Sequence, residues 1–266
     1  MPTAEEIELD LLDFHERVPG ITEKTLGECT TEDGLTGYDV VANAIPAEAR
    51  SVVELGCGNG PLLERLVRKG FERVVGVDAC RADLDLAKVR VPRAELVCGR
   101  AQELALPEAS FDAACSHHAF YLFDPIEPAI AAVARAVRPG GVLVMATWSF
   151  EAERSHPFAE MMTAFSELTK KDNPHFTGWG DRRMFSRDGL GQLFGAAFEW
   201  GEVSEHALVI RDSPVERFEG FFYSAYLQKE ETRRELRKTW AEILASSRDP
   251  LRFPFSLVTF RRRAAT

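Results

Sequence analysis

No apolar run in this 266-residue sequence reaches the ~18 residues that a membrane-spanning helix requires. The opening Met-Pro-Thr-Ala-Glu-Glu-Ile-Glu-Leu-Asp is acidic and lacks the charged-then-apolar order of a signal peptide. Basic charge is also short, with 32 Lys and Arg against 42 Asp and Glu and a net charge of −10. Nucleic-acid binders draw much of their affinity from phosphate neutralisation, so this balance argues against DNA or RNA as a partner. The one dense basic run, Arg261-Arg262-Arg263, reads as the solvated end of a final strand. Cysteines number five, an odd count without a paired framework, which fits a reducing compartment. Ser/Gly/Pro-rich linkers, internal repeats and low-complexity tracts are all missing. The expectation is a single cytoplasmic globular domain over 1–266, with no membrane span and no nucleic-acid partner, its oligomeric state left open.

What is present is an alternation of short apolar runs and amphipathic stretches. Strands are expected at Ser51–Leu55, Arg73–Val77, Glu95–Cys98, Phe111–Cys115 and Gly141–Trp148, with helices at Pro61–Lys69, Ala82–Val89 and Pro128–Val137 between them. Such an order needs right-handed crossovers and gives a parallel sheet covered on both faces. Arg138-Pro139-Gly140-Gly141 is read as punctuation before the fifth strand. Helices are expected at 3–17, 40–46, Pro157–Leu168, Arg187–Phe194, Pro214–Tyr226 and Lys229–Ala245, and further strands at 202–210 and Phe255–Arg261. Residues 1–37, 150–186 and 211–252 flank or interrupt the regular core at 38–149, and such segments commonly become lids.

The first strand runs into Gly56-Cys57-Gly58-Asn59-Gly60 and then a helix. Glycines there let backbone approach a ligand, and the helix N-terminus offers unpaired N–H groups. A dinucleotide site would want glycine where Pro61 stands, so an NAD-dependent oxidoreductase is disfavoured. The run Val52-Val53-Glu54-Leu55-Gly56-Cys57-Gly58-Asn59-Gly60 resembles the first signature of class I S-adenosylmethionine-dependent methyltransferases, E/D-x-G-x-G-x-G. Asp78, eighteen residues beyond Gly60, matches the acid that ends the second strand of that family. Leu96–Gln102, Leu106-Pro107, Ser110-Phe111-Asp112 and Arg138–Gly141 extend the likeness across about 38–149. It is strongest to the branch that holds the ubiquinone- and menaquinone-pathway enzymes, which act on small molecules.

The resemblance implies an α/β fold, a Rossmann-like seven-stranded mostly parallel sheet with helices on both faces, here with a helical lid from the insertions. It implies S-adenosyl-L-methionine as cofactor, held by Tyr38, Glu54, Gly56, Cys57, Gly58, Asp78, Ala79, Arg100, Ala101, Gln102 and Ser116. Glu54 would steady the loop or the cofactor amine, Asp78 would accept both ribose hydroxyls, and Ala101 would offer its N–H to adenine. Arg100 stands where that family usually has Asp. The implied reaction is methyl transfer to a small-molecule acceptor, and the aromatic residues Phe158, Phe165, Phe176, Trp179, Phe218, Phe221, Phe222, Tyr223 and Tyr226 suggest that its body is apolar or aromatic. A non-catalytic adenosylmethionine-binding protein is the alternative.

Methyl transfer needs an aligned nucleophile and a dry site, and a base only where the nucleophile must lose a proton. His117 and His118, just past the fourth strand, are the candidates for base or orienting partner. They lack a third ligand at recognisable spacing, so no metal is expected. Cys57, Cys80, Cys98 and Cys115 sit at or just past the ends of strands one to four, so several thiols are expected to ring the cofactor pocket. They read as small polarizable residues against a ligand rather than as soft-ligand capture.

Overall fold

The computed structural model describes residues 4–172, 174, 180–222 and 228–264. Seven strands form one sheet in the order β3-β2-β1-β4-β5-β7-β6. They are β1 Ser51–Leu55, β2 Arg73–Asp78, β3 Glu95–Cys98, β4 Phe111–His117, β5 Val137–Trp148, β6 Phe198–Ile210 and β7 Leu251–Arg262. β1 to β5 pair in parallel, while β7 runs antiparallel to both β5 and β6. The expected sheet is therefore the observed one. The chain order reverses between β1 and β4, and the crevice beyond the carboxyl ends of those two strands is where open α/β sheets hold ligands.

The central strands form because their side chains are apolar on both faces: Val52, Val53, Leu55, Val74, Val75 and Val77 are all buried. Helices α2 (Gly37–Ala44), α3 (Pro61–Lys69) and α4 (Arg81–Arg90) cover one face, and α5 (Ile126–Ala136) and α7 (Arg187–Phe194) the other. α2 starts three residues earlier than periodicity suggests. Thr36 and Asp39 form a reciprocal capping box, Asp39 N–H donating to Thr36 Oγ1 and Thr36 N–H to Asp39 Oδ2. The Arg138–Gly141 punctuation lies inside β5. Val137 pairs with Phe111 and Val142 with Ala113, so residues 138–141 bulge from the ladder and the strand resumes beyond them.

The remaining helices are α1 (Ala4–Arg17), α6 (Phe158–Asp172), α8 (Pro214–Phe221) and α9 (Glu230–Ser246). α6 and α9 pack through Trp240, which is fully buried and donates Nε1–H to the Met161 carbonyl at 2.8 Å. Of the helix expected at Pro214–Tyr226, 223–226 lies outside the described residues. Among the described residues no helix is long and apolar enough to cross a membrane.

Candidate functional site

The turn from β1 into α3 is shaped by two donors converging on one acceptor. Gly56 N–H and Cys57 N–H both donate to the Val77 carbonyl, at 2.8 and 3.0 Å, which ties the loop to β2. Gly56 and Gly58 have φ of +70° and +50°, a region where a side chain is strained. A Cβ on Gly56 would come within 2.2 Å of the Ala119 side chain, whereas one on Gly58 would meet nothing within 4 Å. Gly58 thus leaves the loop backbone open to a cavity.

Asp78 holds the other side. Its Oδ2 accepts Gly58 N–H at 2.7 Å and its Oδ1 accepts Cys80 N–H at 2.8 Å. One protein donor per oxygen leaves lone pairs for two ligand donors. Burial pushes the Asp78 carboxyl above its ordinary range, against those two N–H groups. Glu54 is almost fully buried, its Oε2 has no hydrogen-bond partner, and burial followed by the nearby Asp78 charge raises its pKa well above the usual value. An orphaned buried carboxyl oxygen on the wall of a cavity is poised for a ligand donor.

Tyr38, Glu54, Gly56, Cys57, Gly58, Asp78, Ala79, Arg100, Ala101, Gln102, His117 and His118 all line this cavity. Ser116 does not. Its hydroxyl donates to the Leu55 carbonyl at 2.9 Å inside the sheet, because alternation along β4 turns it away from the face that His117 presents. The expected ring of thiols is not formed either. Cys57 and Cys80 line the cavity, but Cys115 is sealed in the sheet and Cys98 is exposed. Burial pushes the Cys57 and Cys115 thiols well up and that of Cys80 to about 12, so all three are neutral near pH 7. Among the described residues no group of three or more His, Cys, Asp and Glu is placed to hold a metal.

The amino-terminal segment, expected from the sequence to form a lid, runs along this cavity as a strap. Glu8, Leu11, Leu12 and His15 of α1, then Gly20, Ile21 and Thr22, complete the lining. Glu8 takes Arg100 in a bidentate pair, Nε to Oε1 at 2.8 Å and Nη2 to Oε2 at 2.5 Å. Asp83 accepts Gly20 N–H at 2.7 Å and lies 3.2 Å from His15 Nδ1. Glu23 accepts from Asn59 at 2.6 Å and from Arg90 at 2.8 Å. The unusual Arg100 therefore serves the strap. The only sequence signal for it was a basic residue where an acid is usual.

A second cavity of about 860 Å³ adjoins the first. Trp148, Phe165, Phe185, Phe221 and Phe222 line it, while Phe158 and Phe218 are core. Phe176, Trp179, Tyr223 and Tyr226 lie outside the described residues. His118 belongs to both cavities, whereas His117 belongs only to the first. His118 has φ of +54°, a conformation uncommon for a residue with a side chain, and its ring meets Tyr121, Phe221, Phe253 and Phe255 edge-on at 5.3–6.3 Å. His117 packs on Tyr38 at 4.2 Å, with the α2 N-terminal residue Gly37 against its Nε2. Neither Nε2 has a hydrogen-bond partner. Burial lowers both pKa values, that of His118 to about 3. Both rings are thus neutral near pH 7.

Residues 53–145 match a protein family described as "Methyltransferase domain". An uncharacterized methyltransferase of Mycobacterium tuberculosis is 40% identical over 110 residues, covering 41% of this chain and 44% of that protein. A ubiquinone biosynthesis O-methyltransferase of Alkalilimnicola ehrlichii is 35% identical over 116 residues, 41% of this chain and 46% of that protein. The matched stretches span less than half the length of these curated relatives. Among solved structures, the cyclase SpnF superposes with a TM-score of 0.62 at 16% identity, covering 99% of this chain and 98% of its own. An S-adenosylmethionine-dependent methyltransferase of Methanosarcina mazei superposes with a TM-score of 0.56 at 15% identity, covering 85% and 98%. At such identities the likeness speaks for the fold.

Proposed function

We propose that this chain, which carries a methyltransferase domain, binds S-adenosylmethionine in the cavity over Gly58 and delivers its methyl group to a small acceptor in the aromatic chamber. The observation that carries this is the shared position of His118, where the two cavities meet. The residues present fit the cofactor. The orphaned Glu54 Oε2 suits its ammonium group, the free lone pairs of Asp78 suit two ribose hydroxyls, and Gly58 leaves room for the chain between them. Bound there, the cofactor supplies a sulfonium methyl for in-line displacement. The protein aligns the nucleophile and excludes water.

His118 acts here as an orienting hydrogen-bond partner of the acceptor. A neutral ring whose pKa is held near 3 is a weak proton acceptor, so alignment is the larger part of its role. His117, held against Tyr38 and Gly37, supports the cofactor side of the junction. α1 with Gly20, Ile21 and Thr22 borders the cofactor cavity, α6 and α8 border the chamber, and together they keep water out.

Calorimetric titration with S-adenosylmethionine, S-adenosylhomocysteine and NAD tests the cofactor. The two sulfur compounds bind and NAD does not; binding of NAD alone would overturn the reading. Methyl transfer to a panel of small apolar and aromatic acceptors tests the reaction, and binding without transfer to any would favour a non-catalytic adenosylmethionine-binding protein. The strap gives a kinetic prediction. Glu8→Gln removes the bidentate partner of Arg100, worth about 1.4 kcal/mol or more as a charge-assisted pair, so S-adenosylhomocysteine should dissociate roughly tenfold faster in stopped flow. An unchanged off-rate would mean the strap does not gate the cavity.

A further inference from the structure

The two cavities differ in charge. The smaller one is lined by Glu8, Glu54, Asp78 and Asp83 with Arg100, a surrounding suited to a cationic ligand. Among its described lining residues the 860 Å³ chamber carries Lys170 and Arg182 and no Asp or Glu. In a chain with 42 acidic and 32 basic residues, a large cavity that collects cations and avoids carboxylates has a chemical bias of its own.

The two cations are set at the mouth rather than the floor. Lys170, in the last turn of α6, borders both the chamber and the adjoining outer groove, where Glu167 also lies, and it makes no ion pair among the described residues. Arg182 begins the short turn Arg182–Phe185, and its guanidinium lies 5.9 Å from the centre of the Phe185 ring. Its neighbour Arg183 points elsewhere, to Asp181 and Glu127. Beside Lys170 the Thr169 hydroxyl accepts from Gln228 Nε2 at 2.5 Å, which leaves its own proton to donate. Inward from this rim the walls are aromatic, with Trp148 stacked on Phe222 at 5.8 Å and Phe165 beside it. His118 lies where the chamber meets the smaller cavity.

We propose that the acceptor is an anionic amphipath: an aromatic or otherwise apolar body seated against Trp148, Phe165, Phe221 and Phe222, with a carboxylate held at the mouth by Lys170 and with Arg182 adding positive charge to the same lining. This rests on the reading of the chamber as the acceptor site and narrows it to a substrate class. Seating the carboxylate at the rim leaves the opposite end of the molecule facing His118, so one charge sets the direction in which the acceptor enters.

The test compares two probes of one shape, 2-naphthoate and 2-naphthamide, by calorimetry on the full chain. The carboxylate binds at least tenfold more tightly at low salt, and the ratio shrinks in 0.5 M NaCl as the exposed cations are screened. In Lys170→Gln, and more so in the Lys170→Gln/Arg182→Gln pair, the ratio falls toward one while naphthamide affinity holds, which also reports an intact chamber. Lys170→Arg keeps the preference. Equal binding of both probes, binding of neither, or a preference that survives the paired substitution overturns the proposal. S-adenosylhomocysteine is titrated into the same samples. Loss of its binding with the naphthoate preference intact fells the methyltransferase reading alone, and the reverse outcome fells this proposal alone.

Discussion

Asp78→Ala is expected to weaken S-adenosylhomocysteine binding about a hundredfold while leaving the free protein folded. Each hydroxyl-to-carboxylate hydrogen bond contributes about 1.5–3 kcal/mol, and two of them at the lower bound make roughly two decades of affinity. The cost to the fold should be small for a physical reason visible in the site. The carboxylate already sits against its interests, buried near Glu54 and Asp83, with its pKa raised by burial in spite of Gly58 N–H and Cys80 N–H. Removing it relieves that like-charge crowding and frees two backbone donors at an open cavity wall, where water reaches them. Apo stability in denaturant should therefore change by less than about 1 kcal/mol. Calorimetric affinity and a urea melt on the same sample check both halves. An unchanged affinity would remove Asp78 from the ligand, and a collapsed melt would make it a structural residue of the loop.

The parts of this site that could be read in the sequence share one property, that neighbours in space are neighbours in the chain. Glu54, Gly56 and Gly58 lie on a single strand-to-helix turn, and the buried parallel strands announce themselves as unbroken apolar runs. Asp78 follows because the next strand must return alongside the first. What escaped depends on distant partners or on the turn of one side chain. Arg100 looked misplaced at the cofactor, since its partner Glu8 is 92 residues away on a helix whose docking no local pattern encodes. Ser116 and Cys115 seemed as well placed as His117, but alternation along β4 turns Ser116 to the other face, and Cys115, on the face of His117 but two residues further back along the strand, is covered by the core. Phe158 and Phe165 read alike as one helical stripe, yet one is core and the other walls the chamber, because α8 and β7 cover Phe158. His117 and His118 could not be ranked without knowing that a second cavity opens beside only one of them.

That ranking leads to the prediction with the clearest signature, His118→Phe. The ring sits edge-on to Tyr121, Phe221, Phe253 and Phe255, so a phenyl group of similar size should pack there and the orphaned Nε2 disappears. In the folded protein His118 takes up a proton only near pH 3, whereas in the unfolded chain it does so near 6.5. Below pH 6.5 the unfolded state binds the extra proton, so the wild type loses stability as pH falls, by up to about 1.4 kcal/mol per pH unit from this residue. His117 adds a loss of the same sign in both proteins, and the raised carboxyls of Glu54 and Asp78 work oppositely in both. The difference between variant and wild type isolates His118: it should grow by about 1.6 kcal/mol between pH 6.5 and 5, in the direction that favours the variant. Methyl transfer should move the other way. Single-turnover rates in His118→Phe and His118→Gln should drop about a hundredfold with S-adenosylhomocysteine affinity nearly unchanged, and the wild-type rate should show no inflection near pH 6.5 from this ring. A variant that gains acid stability yet keeps the wild-type rate would make His118 a packing residue and move the alignment of the acceptor to the aromatic walls. A variant that loses the rate without gaining acid stability would mean that burial does not depress the His118 pKa, which leaves the neutral ring basic enough to take the acceptor's proton.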